Sequence, residues 1–323
     1  MWLKRFIASL TLGVVVLPAM AEMPKEINFG IISTDSSAAL RSRWQPVLDE
    51  MQARVGTKVN AFFATDYAGV IEAMRFKKVD IAWFGNKSAI EAVDRANGEV
   101  FVQTLAEDGA GYYSVLITHR DSSFKTFDDV LKRGKEINFG IGDPNSTSGF
   151  LVPTTFIFSA KSIDPKVCFK TVRAANHEAN ALAVANKLVH AATNNSENME
   201  RLEKTAPAAH ANIRIIWTSP LIPSDPLVWR KDLDAGLKKT IGDWLFAYGR
   251  TDAEKKVLAD LQWAPFKKSD NNQLLPIRQM ELNKEIMKLK GDEKLAATEK
   301  TAKLAELEKQ FADIGRQIDA RKQ

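Results

Sequence analysis

Between residues 140 and 150 the chain reads Gly140-Ile141-Gly142-Asp143-Pro144-Asn145-Ser146-Thr147-Ser148-Gly149-Phe150. Three consecutive hydroxyl side chains, Ser146, Thr147 and Ser148, stand where an apolar, β-prone run gives way to a helical stretch. At such a junction the first backbone N–H groups of the helix have no partner within it and point outward with the positive end of its dipole. Hydroxyls beside them add donors without adding charge, which suits a tetrahedral oxyanion. One Ser or Thr there is an ordinary cap; three between Gly142 and Gly149 exceed what capping requires. No Gly-x-x-x-x-Gly-Lys-Ser/Thr run and no Gly-x-Gly-x-x-Gly run follows a strand, so the anion is expected to be small rather than a nucleotide. The chain has four histidines, none paired at metal-ligand spacing, and one cysteine, so neither a zinc site nor an internal disulfide is expected. Cys168, between Val167 and Phe169, reads as a buried, inert thiol.

The elements that must position these donors follow an alternation of short apolar runs and helical periodicity from residue 26 to about 230, the pattern of βαβ units around a largely parallel sheet. The first run, Glu26-Ile27-Asn28-Phe29-Gly30-Ile31, returns letter for letter at Glu136-Ile137-Asn138-Phe139-Gly140-Ile141. The 110-residue offset persists: Lys77-Lys78-Val79 with Ala82 matches Lys187-Leu188-Val189 with Ala192, and Tyr67 matches His177, each opening a helix. Two copies of one α/β unit imply two similar lobes with a cleft between them. Stretches 112–119 and 213–229 flank the second copy and are expected to be the hinge connections. The helical patterns at 232–249 and 252–262 would return to complete the first lobe.

At the N-terminus a basic start with Lys4 and Arg5, an apolar run over 6–18 and Ala19-Met20-Ala21 give a secretory signal peptide with cleavage expected after Ala21. Removing Lys4 and Arg5 from the 45 basic residues leaves 43 against 40 acidic ones, too even a balance to suggest nucleic acid. At the other end, Leu304, Leu307, Phe311, Ile314 and Ile318 step by three and four through a Lys-, Glu- and Ala-rich segment. That stripe could dock on its own lobe, pair with a second copy or belong to a solvated tail. The expected organisation is a signal peptide over 1–21, a first lobe over 22–118 completed by 219–275, a second lobe over 119–218, and a C-terminal helical extension over 276–323.

Five longer strings then become informative together: Asp66-Tyr67-Ala68-Gly69; Val79-Asp80-Ile81-Ala82-Trp83-Phe84-Gly85-Asn86; Glu91-Ala92-Val93-Asp94-Arg95-Ala96-Asn97-Gly98; Gly142 through Pro153; and Ser219-Pro220-Leu221-Ile222-Pro223-Ser224-Asp225-Pro226. They closely resemble the periplasmic phosphonate-binding proteins of phosphonate ABC importers, over nearly the whole chain to about Arg278. The resemblance implies a type II periplasmic-binding-protein fold, two α/β lobes joined by two hinge strands, with a small phosphonate as ligand and a membrane permease and ATPase as partners. It implies no cofactor, no metal and no catalysis. It further implies that Ser146, Thr147, Ser148, Tyr67 and His177 hold the phosphonate oxygens, that Glu197 and Asp225 hold a substrate ammonium, and that Tyr112 lines the cleft. Phe84 departs from the family, which often has tyrosine there, and is read as packing.

A phosphonate carries three oxygens and one organic group, so a selective site needs donors at one end and something chosen for the organic group at the other. Carboxylates closed away from water would be left unpaired by orthophosphate, at a cost of about 1–3 kcal/mol for each buried unsatisfied group. An ammonium removes that cost, which makes an aminoalkyl phosphonate, 2-aminoethylphosphonate together with related alkylphosphonates, the expected ligand. Other expectations stay open: a binder of phosphite, phosphate or a phosphate ester, with Glu197 and Asp225 merely structural, or a periplasmic hydrolase pairing His177 with one of those carboxylates. A partner-binding role for residues 290–323, including homodimerisation, also stays open.

Overall fold

The computed structural model describes residues 25–106, 109, 111–292 and 295–321. The expected signal peptide and its cleavage point lie outside the described residues. Among the described residues, eleven strands form two sheets: β1 Glu26–Ile31, β2 Lys58–Phe63, β3 Ile81–Trp83, β4 Gly98–Ala106, β5 Ser114–His119, β6 Asn138–Ile141, β7 Thr171–Ala174, β8 Ala191–Asn195, β9 Ile213–Thr218, β10 Pro226–Arg230 and β11 Trp263–Lys268. The first sheet runs β11-β4-β10-β3-β1-β2 and the second β7-β6-β8-β5-β9. In both, three parallel strands meet one antiparallel neighbour, β10 beside β3 and β5 beside β8.

The inner strands read as continuous apolar runs because helices cover both faces of the sheets. Ile27, Phe29 and Ile31 of β1 are fully buried, as is Phe139 of β6. Behind β1 the first lobe packs Phe29 on Trp44, with Trp83 and Trp263 within 5.2–5.9 Å of the neighbouring rings. The second lobe stacks Phe139 on Phe169 at 4.5 Å and sets Phe158 edge-on to both. Five of the strand-to-helix turns end in a side-chain cap: Ser36, Asp66, Ser146, Asn176 and Asn195 each accept a backbone N–H three residues on. The right-handed crossover then brings these helix starts together along one edge of each sheet.

The duplication is visible at atomic detail. Helices Tyr67–Arg75 and His177–Ala185, and Asn86–Arg95 and Ser196–Thr205, stand in the same 110-residue register. Lys77 and Lys187 follow the first pair with φ of 57° and 60°, and the Asp80 and His190 amides donate to Asn28 and Asn138 at 2.9 Å. The expected hinges differ from what forms. Ser114–His119 is a strand inside the second sheet and Ile213–Thr218 is its edge, so the first crossing precedes residue 114 rather than following residue 118, and the return spans 219–225. Pairing decides this: a fully buried β5 gains more between β8 and β9 than as a free connection.

The two crossings are pinned together where Tyr112 and Ile222 exchange backbone hydrogen bonds of 3.0 and 2.8 Å. Gly111 makes room for this with φ of 121°; a Cβ there would lie 2.2 Å from the Ile222 carbonyl oxygen.

The C-terminal apolar stripe packs on a helix of its own chain. Helices Leu275–Lys290 and Ala297–Ala320 form an antiparallel hairpin, joined by Gln279 Nε2 donating to the Phe311 carbonyl and by Lys290–Glu308 at 3.0 Å. Ile277 anchors the hairpin in the first lobe, while the same helix also touches residues 154–161 of the second. Cys168 is half-buried rather than buried, and burial still pushes its thiol up.

Because Gly111 is both left-handed and crowded, Gly111→Ala should lower stability by about 1–3 kcal/mol, read from urea unfolding.

Candidate functional site

All eight residues expected at the site, Tyr67, Tyr112, Ser146, Thr147, Ser148, His177, Glu197 and Asp225, line one cavity between the lobes. Ser146 Oγ caps the helical turn Thr147–Leu151 by accepting from Gly149 N–H at 3.0 Å. That turn is wider than an α-helix, with Leu151 N–H reaching back five residues to the Ser146 carbonyl. Its start is held against β6 and β8 by glycine contact: a Cβ on Gly142 would meet Gly149 Cα at 2.5 Å, and one on Gly149 would come 3.1 Å from His177 Cε1. Thr193 Oγ1 donates to the Gly149 carbonyl at 2.6 Å, Ser114 Oγ donates to the Ser148 carbonyl at 2.6 Å, and Asn195 Nδ2 donates to Ser148 Oγ at 3.3 Å. The backbone of the hydroxyl row and the Ser148 side chain are therefore fixed from behind.

Tyr67 and His177 open their helices, as expected, and approach the hydroxyl row from opposite lobes. His177 Nε2 lies 3.5 Å from Ser146 Oγ, and its buried Nδ1 has no hydrogen-bond partner among the described residues. Burial drives the imidazole down to about 4, so it is neutral at pH 7 and can donate from one nitrogen only. Burial likewise raises the Tyr67 phenol, keeping it a neutral donor. This end of the cavity thus presents hydroxyls, phenol, imidazole and backbone N–H groups, with no cation needed to hold an anion.

The other end is acidic. Asp225 Oδ1 accepts from Tyr112 Oη at 3.0 Å and from Asn86 Nδ2 at 3.2 Å, so both donors aim the carboxylate. Burial raises the Asp225 carboxyl well above its ordinary value, and the nearby Glu197 raises it further. Glu197 is half-buried at the rim, yet desolvation of its carboxyl raises it to about 7 against the pull of Arg201. Without a cation, burial favours the protonated forms of this pair; beside a cation, both carboxyls can be ionised.

The lobes are joined across the cavity. Lys87 N–H donates to Thr147 Oγ1 at 2.9 Å, and Tyr67 N–H donates to Asp143 Oδ2 at 3.2 Å. Phe84, read as packing, is fully buried and lies outside the cavity. Sequence reasoning missed Arg43, Trp44, Trp83, Asn195, Arg201 and Trp263, which share the lining. Asn195 had a signal, since it is the Asn that caps the helix opening at Ser196, two residues before Glu197; the tryptophans look like core and are mostly core.

The sequence matches a model of the ABC-transporter phosphonate periplasmic substrate-binding proteins over residues 29–274. It is 51% identical over 313 residues to the phosphonates-binding periplasmic protein of Escherichia coli strain K12, covering 96% of this chain and 92% of that one. A crystal structure of a binding-protein component of an ABC phosphonate transporter from Pseudomonas aeruginosa is 52% identical and superposes with a TM-score of 0.90, over 92% of this chain and 99% of the other. PhnD1 of Prochlorococcus marinus in complex with methylphosphonate shares the fold, at TM-score 0.71 and 22% identity, over 80% and 99% of the two chains. With its two mixed α/β sheets, three-plus-one strand pattern and cleft between the lobes, the chain has the type II periplasmic-binding-protein fold and belongs to the family of periplasmic substrate-binding proteins of phosphonate ABC transporters.

Proposed function

We propose that this protein captures aminoalkyl phosphonates, 2-aminoethylphosphonate foremost, and delivers them to a membrane permease and ATPase. Family membership makes it a binding component and not a hydrolase. The observation that carries the choice of ligand is the polarity of one closed cavity: neutral donors at one end, two desolvated carboxylates at the other. In this reading Ser146, Thr147, Ser148, Tyr67 and His177 hold the phosphonate oxygens. With its proton on Nδ1, the unpartnered nitrogen of His177 would then donate to a phosphonate oxygen, recovering about 1–3 kcal/mol that an orphaned buried group costs. Glu197 and Asp225 receive the ammonium, and Tyr112 orients Asp225 while closing the wall. Closing the lobes is most favourable when both ends are filled, so orthophosphate, phosphite and simple alkyl phosphonates bind less tightly, closing only over a protonated acidic pair that gains no ion contact. No bond is made or broken; the closed shape is the product.

Isothermal titration of the mature protein should give an affinity for 2-aminoethylphosphonate at least 100-fold above that for orthophosphate, and equal affinities would defeat the proposal. Glu197→Gln and Asp225→Asn should each weaken 2-aminoethylphosphonate by roughly 100-fold, about 3 kcal/mol for breaking a desolvated charge pair. The same variants should leave methylphosphonate unchanged or improved. The pH dependence has a definite sign. In the methylphosphonate complex burial keeps Asp225 protonated near neutrality and leaves Glu197 to titrate at about 7, whereas in the ammonium complex both are ionised. The preference for 2-aminoethylphosphonate, corrected for each ligand's own ionisation, should therefore grow as pH rises through about 7, where Glu197 titrates. A preference that is flat from pH 5 to 8 would mean the carboxylates do not meet the ammonium.

A further inference from the structure

A cluster of charges outside the groups assigned to the ligand spans the mouth of the cleft. Asp35, in the turn after β1, is 5% exposed and faces two guanidiniums. Arg43, from its own lobe, lies 2.6 Å away, and Arg201, from the second lobe, lies 3.3 Å away on the other carboxylate oxygen. Burial pushes the Asp35 carboxyl up, but Arg201 and Arg43 outweigh it and hold the group below its ordinary value. Arg201 makes a second bond to the first lobe, donating from Nη1 to Gln262 Oε1 at 2.8 Å. Beside it, Glu178 Oε2 accepts from Ser36 N–H at 2.7 Å, while Glu178 N–H donates to the Thr34 carbonyl at 3.4 Å. The turn over residues 34–36 is thus gripped from both helices that open onto the cleft in the second lobe.

We infer that Asp35, Arg201 and Glu178 form an inter-lobe clasp that sets how readily the protein closes, and so sets affinity without setting ligand preference. Arg201 sits one helical turn beyond Glu197, on the same helix Ser196–Thr205. The element that would bring a carboxylate to the ligand therefore also brings the bolt to its keeper. In the open form Asp35 keeps Arg43, its neighbour within the lobe, while Arg201 and Glu178 return to water; closure adds the bonds that cross. An interaction made only in the closed state multiplies the apparent affinity of every ligand that needs closure by the same factor.

The inference rests on the cleft being the phosphonate site, and the experiment separates the two. Affinities for 2-aminoethylphosphonate and methylphosphonate are measured by titration calorimetry for the wild type, Asp35→Asn and Glu178→Gln. Asp35→Asn should weaken both ligands by one common factor of about ten or more, with their ratio unchanged, through faster dissociation. Glu178→Gln, at a half-buried position, should weaken both by a smaller common factor, and it decides the matter alone if Asp35→Asn fails to fold. Small-angle scattering of the ligand-free proteins reads the clasp without any ligand, the variants being expected to have the larger radius of gyration. A loss confined to one ligand would place Asp35 among the ligand's contacts and overturn the clasp. Unchanged affinities with unchanged radii overturn it as well. A wild type that bound neither ligand would sink the reading of the site, leaving the radii to judge the clasp.

Discussion

A carboxylate shut away from water must be neutralised, paired or protonated, and the whole arrangement between the lobes follows from that constraint. Asp225 and Glu197 are desolvated by closure and raised above their ordinary range, whereas Asp35, buried like Asp225, is held low by two guanidiniums. The contrast separates two jobs for the same functional group. A carboxylate that arrives with its own counter-charge belongs to the frame; one that closes without a counter-charge is waiting for it. The anionic end obeys the complementary logic, since hydroxyls, a neutral imidazole and backbone N–H groups can surround an oxyanion without leaving a buried cation exposed when the ligand departs.

The backbone makes this economical. Because helix starts gather along one edge of a doubly covered parallel sheet, each lobe presents its unpaired N–H groups and capping side chains to the same gap. Duplication then supplies the site twice over, and the copies have diverged where it matters. Tyr67 and His177 occupy equivalent first-turn positions and both reach the hydroxyl row. Ser36 and Ser146 are equivalent caps, yet Ser36 ends at the rim under Glu178 while Ser146 lies inside the cavity.

Much of this was legible in the sequence for physical reasons. The hydroxyl triplet, the repeated hexamer and the helix-opening Tyr67 and His177 are local features, and local features survive folding. The gathering of Glu197, Asp225 and Tyr112 came from resemblance to a known family and not from their own surroundings, since no periodicity reveals that residues 85 and 113 positions apart will share a wall. The hinge assignment failed where strand pairing decided the outcome: β5 has the composition of a strand wherever it lies, and only its neighbours fix which sheet owns it. Arg201 was invisible for a similar reason. On its helix it looks like a solvated residue following Glu197, and its partners Asp35 and Gln262 are far away in sequence.

Strand exchange between the sheets also governs the order of assembly. β5 enters the second sheet immediately after the first crossing, and residues 114–218 contain every strand that sheet needs. The first sheet lacks its central antiparallel partner until β10 at Pro226–Arg230 arrives, and its edge until β11. A chain emerging from its N-terminus can therefore finish the later lobe before the earlier one, with β1, β2 and β3 left incomplete meanwhile. The half that begins first matures last, and its apolar strands depend on that interval being brief.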